Sequence, residues 1–181
     1  RMEPGMARRL IQATAPREFT QTARDPAKSV RIGGGNLVFV PNYGSPFVHD
    51  LDRGRRYGTM EDFDNLVKLA QASPWMHHSG GTVCEPVDVP VSKRHLDMVY
   101  SHIKYSDKPF MGSVTAGSRA EDSVEMAKIL FGADFVAGNC CMVNIINVNS
   151  PLVLDDTMLA ALKVYARNNQ AVIVTPFILT G

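Results

Sequence analysis

Apolar and polar positions change their spacing several times along the chain. Residues 3–15 carry Met6, Leu10 and Ala13 at helical intervals, and Pro16 stops that run. Residues 28–40 predict a β-hairpin. Val30 and Ile32 alternate with polar neighbours, Gly33-Gly34-Gly35-Asn36 supplies a tight turn, and Leu37-Val38-Phe39-Val40 follows as an apolar run. Residues 47–51 predict a further short strand.

From Thr59 onward the pattern becomes repetitive. Thr59-Met60-Glu61-Asp62 has the form of a capping box, and Phe63, Leu66, Val67 and Ala70 then line one helical face until Pro74. Ser92 is placed to cap a second helix carrying Leu96, Val99, Tyr100 and Ile103. Ser118-Arg119-Ala120-Glu121 has the form of another capping box, and its helix ends at Gly132. Asp155 precedes a helix with Met158, Leu159, Leu162 and Tyr165 facing inward. Strands are predicted near residues 76–85, 109–115, 142–148 and 171–179.

The strand centres recur about every thirty residues, the size of a βα unit. The runs are near-continuously apolar, as in parallel strands covered by helices. Two α/β architectures fit: an open doubly wound sheet, or a (β/α)8 TIM barrel, which needs eight such units in ~250 residues. The chain offers four units and no helix after the last strand. It therefore divides into an N-terminal extension, residues 1–58, and the first four units of a barrel, residues 59–181.

Composition narrows the function classes. The 181 residues are 45% hydrophobic and 20% charged, as in ordinary globular proteins. Nineteen basic and eighteen acidic side chains leave a formal charge of +1. Nucleic-acid and anionic-membrane partners call for a larger basic excess. The basic run Arg53, Arg55 and Arg56 lies beside Asp50 and Asp52 and reads as a solvated turn with internal ion pairs. No apolar stretch is long enough to span a bilayer, and no secretory signal opens the chain. Three cysteines, Cys84, Cys140 and Cys141, make a poor disulfide framework and fit a reducing cytoplasm.

In either architecture the chemistry gathers at the carboxyl ends of the strands. There is no nucleotide fingerprint, Walker sequence, G-x-S-x-G elbow or H-E-x-x-H. The residues available are mostly uncharged. Asn147 can hydrogen-bond a substrate carboxylate or cap the Ser150-Pro151 turn. Glu85 can face a cationic substrate or form a loop salt bridge. His77 and His78 sit at a helix-to-strand turn. Tyr43 and Phe47 flank Gly44-Ser45-Pro46 and can pack in the core or present aromatic faces to a quaternary ammonium.

Several segments together resemble the trimethylamine:corrinoid methyltransferase family, which includes glycine betaine methyltransferases. They are Pro41-Asn42-Tyr43-Gly44-Ser45-Pro46-Phe47-Val48, Asp50-Leu51-Asp52-Arg53-Gly54-Arg55-Arg56, Glu85-Pro86-Val87-Asp88-Val89-Pro90, Asp107-Lys108-Pro109-Phe110-Met111-Gly112, Asn147-Val148-Asn149-Ser150-Pro151-Leu152 and Thr175-Pro176-Phe177-Ile178-Leu179-Thr180-Gly181. The resemblance implies a (β/α)8 barrel that moves a methyl group from a methylated amine to the cobalt(I) of a corrinoid. That corrinoid belongs to a separate partner protein, so no cofactor is expected on this chain. It further implies a longer protein, of which this portion alone is not expected to be active and is expected to self-associate through its open edges. The pyrrolysine of the trimethylamine branch falls beyond Gly181. Under the resemblance Asn147, Glu85, Tyr43, Phe47 and His78 become the substrate-binding candidates. Two other readings are a zinc-dependent corrinoid methyltransferase using His77, His78 or Cys84, and a non-catalytic α/β ligand-binding or assembly protein.

Overall fold

The computed structural model describes residues 3–149 and 153–177. It is a mixed α/β structure. Among the described residues six α-helices occupy Met6–Thr14 (α1), Met60–Ala72 (α2), Arg94–Tyr105 (α3), Gly117–Phe131 (α4), Ala133–Gly138 (α5) and Asp156–Arg167 (α6), and a 3-10 turn covers Pro26–Lys28. Six strands occupy Glu18–Gln21 (β1), Val30–Gly33 (β2), Phe47–Asp50 (β3), Gly54–Tyr57 (β4), Val143–Asn149 (β5) and Ala171–Phe177 (β6). Among the described residues no helix is long and apolar enough to cross a membrane.

The helix signals had mixed outcomes. The Thr59 hydroxyl accepts from the Asp62 amide while the Asp62 carboxylate reaches back to the Thr59 amide, completing the capping box. Asp155 accepts from the Met158 amide and caps α6. Gly132, at φ 93°, ends α4. Ser92 and Ser118 are not caps: α3 follows Lys93 and α4 follows Ala116, neither with a side-chain cap. Ser118 lies inside the first turn of α4, where its hydroxyl is too late to serve the first amides.

The predicted hairpin over residues 28–40 does not form. β2 pairs instead with β1, antiparallel, Glu18 opposite Gly33 and Gln21 opposite Val30. At Gly33, φ is 99° and a Cβ would stand 2.2 Å from the Arg17 carbonyl oxygen, so the chain turns there only with glycine. The apolar run after it is an extended segment that runs parallel to residues 77–85. The His77 amide donates to the Phe39 carbonyl (3.0 Å), Gly44 to Thr82 (2.7 Å) and Glu85 to Ser45 (2.9 Å).

Parallel neighbours then continue in chain order. Gly80 bridges Phe110, Phe110 bridges Met142, and β5 pairs with β6 from Val143–Ala171 to Asn149–Phe177. Five successive segments thus lie side by side, one more than the sequence predicts. Residues 76–85 and 109–115 are extended but make bridges, not full strands. Side chains take amides that a ladder would use: Gly112 donates to Asn144 Oδ1 (2.7 Å) and Ser113 to Ser123 Oγ (3.0 Å). Positions 178 and 179 of the last predicted strand lie outside the described residues.

The segments have two faces. Phe110, Met142 and Ile146 are buried against helix residues Val99, Val124, Ala127, Ala161 and Tyr165. A second cluster joins Phe63 and Val67 of α2 to Val83 and Cys84. His102 of α3 bonds Gly81 O through Nε2 (2.8 Å) and Ser79 Oγ through Nδ1 (3.0 Å). At the starting ends of the segments, Gln21 donates to Phe110 O (2.9 Å) and Cys141 O (3.4 Å), seating the β1–β2 ribbon there. Side chains alternate along extended backbone, so Met111, Ile145 and Asn147 occupy the face away from the helices.

Candidate functional site

That second face, at the carboxyl ends of the segments, gathers the polar candidates. Tyr43 lies near the carboxyl end of the first segment, just before Gly44 and Ser45. Its ring presses on Gly81, where a Cβ would stand 3.0 Å from Tyr43 Cε2 and 3.0 Å from Met111 Cβ. Glycine is therefore what lets the ring approach the second segment. Burial raises the Tyr43 hydroxyl above the ordinary phenol range, opposed by a hydrogen bond with Thr82 and reinforced by the charge of Glu85. The phenol stays neutral at working pH and offers a π face and a dipole.

Asn147 stands on β5, half-buried and in register with Thr175 of β6. In a parallel ladder paired residues project to the same side. The two add an amide and a hydroxyl to the face that carries Met111. The Ser150-Pro151 turn lies outside the described residues.

The other candidates are placed differently. Glu85 is paired with Arg94 at 2.5 Å, and Arg94 also donates to the Val89 carbonyl through Nε (3.1 Å) and Nη2 (2.9 Å). The carboxylate thus staples the loop that leads into α3, and its charge is largely neutralised. Phe47 lies on the β3–β4 hairpin, where the Arg55 guanidinium sits 3.9 Å from its ring centroid and the Tyr57 ring lies tilted against it at 4.8 Å. His78 is buried near the start of the second segment, away from Tyr43. Its Nδ1 accepts from the Gly80 amide (2.8 Å), and burial depresses it to about 3.

The suggested zinc ligands do not converge. His77 Nδ1 accepts from the Phe39 amide at 2.9 Å and its ring stacks on Phe39. Cys84 is buried, and desolvation pushes its thiol up to about 12. Among the described residues no cluster of three or more metal-binding side chains occurs.

Sequence reasoning missed Met111 and Thr175, which look like ordinary strand residues until the register is known. It also missed His95. Its Nε2 lies 2.7 Å from Asp122 Oδ2, and its buried Nδ1 has no partner among the described residues. His95 lines a cavity of about 10 Å³ with Thr82, Met98, Met111 and Ser113.

The face therefore offers an aromatic ring, a thioether, an amide and a hydroxyl, with the nearby carboxylate already paired. Such a surface suits a cation held by π interaction and oriented through a polar appendage.

The family model described as trimethylamine methyltransferase (MTTB) matches residues 1–181. A glycine betaine methyltransferase from Desulfitobacterium hafniense (strain Y51) is 52% identical over 169 residues, covering 93% of this chain and 35% of that protein. The chain spans about a third of the length of that curated relative.

Proposed function

Because the chain belongs to the trimethylamine methyltransferase family, we propose that it forms the first part of an enzyme that takes a methyl group from a quaternary amine, glycine betaine or a close analogue. The five parallel segments in chain order support a (β/α)8 barrel, with further segments of the enzyme completing the ring.

One observation carries the substrate class: the Tyr43 ring lies against Gly81 on the face that also carries Asn147. A trimethylammonium group against a neutral phenol gains about 0.5–2 kcal/mol from cation–π attraction. The Asn147 amide can donate to the substrate carboxylate and fix which methyl points outward.

A cobalt(I) corrinoid on a separate protein supplies the nucleophile. The methyl carbon–nitrogen bond breaks as the carbon–cobalt bond forms, and the electron pair stays on nitrogen. The departing tertiary amine is neutral and needs no proton. The chain's residues are then asked for orientation and electrostatics, not for acid–base chemistry. Tyr43 holds the cation, Met111 shapes the wall, and Glu85, committed to Arg94, does not compete as an anion.

Calorimetric titration of the full enzyme tests this reading. Glycine betaine should bind, and trimethylamine should bind at least tenfold more weakly. Equal binding of the two, or binding of trimethylamine alone, contradicts it.

A further inference from the structure

The second and third parallel segments separate at their carboxyl ends. The Ser79 amide donates to the Pro109 carbonyl (2.9 Å) and the Met111 amide to the Gly80 carbonyl (2.9 Å). Beyond that point the Val83 amide turns back to the Gly81 carbonyl (2.9 Å), and the Gly112 and Ser113 amides go to Asn144 and Ser123. The small cavity lined by Thr82, His95 and Ser113 lies where this ladder stops. It also touches Gly81 and Met111, against which the Tyr43 ring packs.

Three polar side chains line the cavity with bonding capacity to spare. His95, on the first turn of α3, is 5% exposed. Its Nε2 lies 2.7 Å from Asp122 Oδ2 of α4. A carboxylate only accepts, so Nε2 carries the proton and Nδ1 of the neutral ring is left as an acceptor. That Nδ1 is buried without a partner among the described residues. This chain's own residues take it out of solvent, so its burial does not depend on what the rest of the enzyme covers. The Thr82 hydroxyl engages Tyr43, and Ser113 Oγ lies 3.2 Å from Thr115 Oγ1. Each hydroxyl can make more than one bond. Neighbouring polar atoms are committed: His102 uses both ring nitrogens, and the Gly81 carbonyl accepts from His102 and Val83.

We propose that this cavity binds one water molecule, and that His95, by holding that water against Thr82 and Ser113, is a positioning residue for the substrate-facing wall. An unpaired buried ring nitrogen is costly. A cavity of about 10 Å³ has room for one water and for no larger ligand. The water donates to His95 Nδ1 and bonds hydroxyls on both segments. It stands in for the ladder bonds that the separated ends do not make, and braces Gly81 and Met111 behind the Tyr43 ring. The water site stands on geometry alone, whereas the positioning role rests on the methyl-transfer reading.

Diffraction from crystals of the full enzyme, at a resolution that shows ordered water, tests the site. A water within about 3.2 Å of His95 Nδ1 and of a Thr82 or Ser113 hydroxyl is expected. A dry cavity, or a side chain bonded to Nδ1 in its place, overturns the proposal. Kinetics test the role. An asparagine carries its amide near the place of imidazole Nδ1, a glutamine near that of Nε2. His95→Asn gives up Asp122 but keeps a group for the water, and should hold the KM for glycine betaine within about twofold. His95→Gln keeps the reach to Asp122 and loses the group facing the water. It should raise that KM roughly fivefold, the worth of about one hydrogen bond, with kcat changed less. Lowered thermal stability in both variants with no separation in KM overturns the positioning role. A wild-type enzyme that neither binds nor demethylates glycine betaine overturns the methyl-transfer reading and the positioning role together, while diffraction decides the water site by itself.

Discussion

Asn147 and Thr175 face each other across the β5–β6 ladder, in parallel register, on the side of the segments turned away from the helices. The pair places an amide beside a hydroxyl at the carboxyl end of two neighbouring strands. Asn147→Ala in the full enzyme should lower kcat/KM for glycine betaine by at least tenfold. Unchanged kinetics would remove Asn147 from the site. Its half-buried position predicts little change in thermal stability, which a melting curve checks.

Tyr43 should separate ring from hydroxyl. Tyr43→Phe keeps the π face and should retain turnover within about threefold. Tyr43→Ala removes the face, and a cation–π loss of about 0.5–2 kcal/mol corresponds to a KM for betaine raised roughly 2- to 30-fold. Steady-state kinetics on both variants decide. Equal effects of the two would assign the contribution to the hydroxyl.

Gly81 and Gly112 offer a contrast between function and stability. A Cβ on Gly81 meets Tyr43 and Met111, whereas one on Gly112 would stand 2.5 Å from the Tyr165 hydroxyl oxygen and 2.9 Å from Ser123 Cβ. Gly112→Ala crowds the buried core and should cost about 1–3 kcal/mol in denaturant unfolding. Gly81→Ala displaces the tyrosine ring and should reduce betaine turnover by a larger factor than Gly112→Ala does. Activity measured beside urea midpoints distinguishes them.

Buried histidines set an acid limit. Burial depresses His78 to about 3, with the charge of His102 adding to the effect, and burial depresses His102 to about 4. Unfolded, both titrate near 6.5. The unfolded chain therefore binds more protons in between, so stability is fully present above about pH 6.5 and is lost as pH falls toward 4. Urea midpoints should be level from pH 8 to 7 and decline steeply between 6 and 4. His102→Gln should shallow that decline. A profile flat down to pH 4 contradicts the assignment.

Local chemistry was legible in the sequence where a single residue type decides. Thr59 with Asp62, Asp155 and Gly132 each act within a few residues, and each is found in its expected role. Partner choice was not legible. The apolar run 37–40 looks the same whether it turns back on β2 or lies along residues 77–85, and only the long-range hydrogen bonds decide. The same limit hid β1 as the mate of β2. Arg53 does sit in the turn and pairs with Asp50, as its neighbours in sequence suggest, whereas Arg56 reaches Asp50 and Asp62 from strand β4 and Arg55 lies over the Phe47 ring. Phe47 reads as a pocket wall from its neighbours in sequence, while cross-strand geometry gives its ring to Arg55 and Tyr57. Residue type named the candidates, and register sorted them.

The central claim, methyl transfer from a quaternary amine at the Tyr43 face, is tested most directly by following a labelled methyl group. The full enzyme is mixed with glycine betaine carrying carbon-13 in its methyls and with a cobalt(I) corrinoid acceptor. The account predicts one labelled methyl on cobalt for each dimethylglycine formed, with Tyr43→Ala sharply slower. Absence of label on the corrinoid, or a Tyr43→Ala enzyme as fast as wild type, would contradict it.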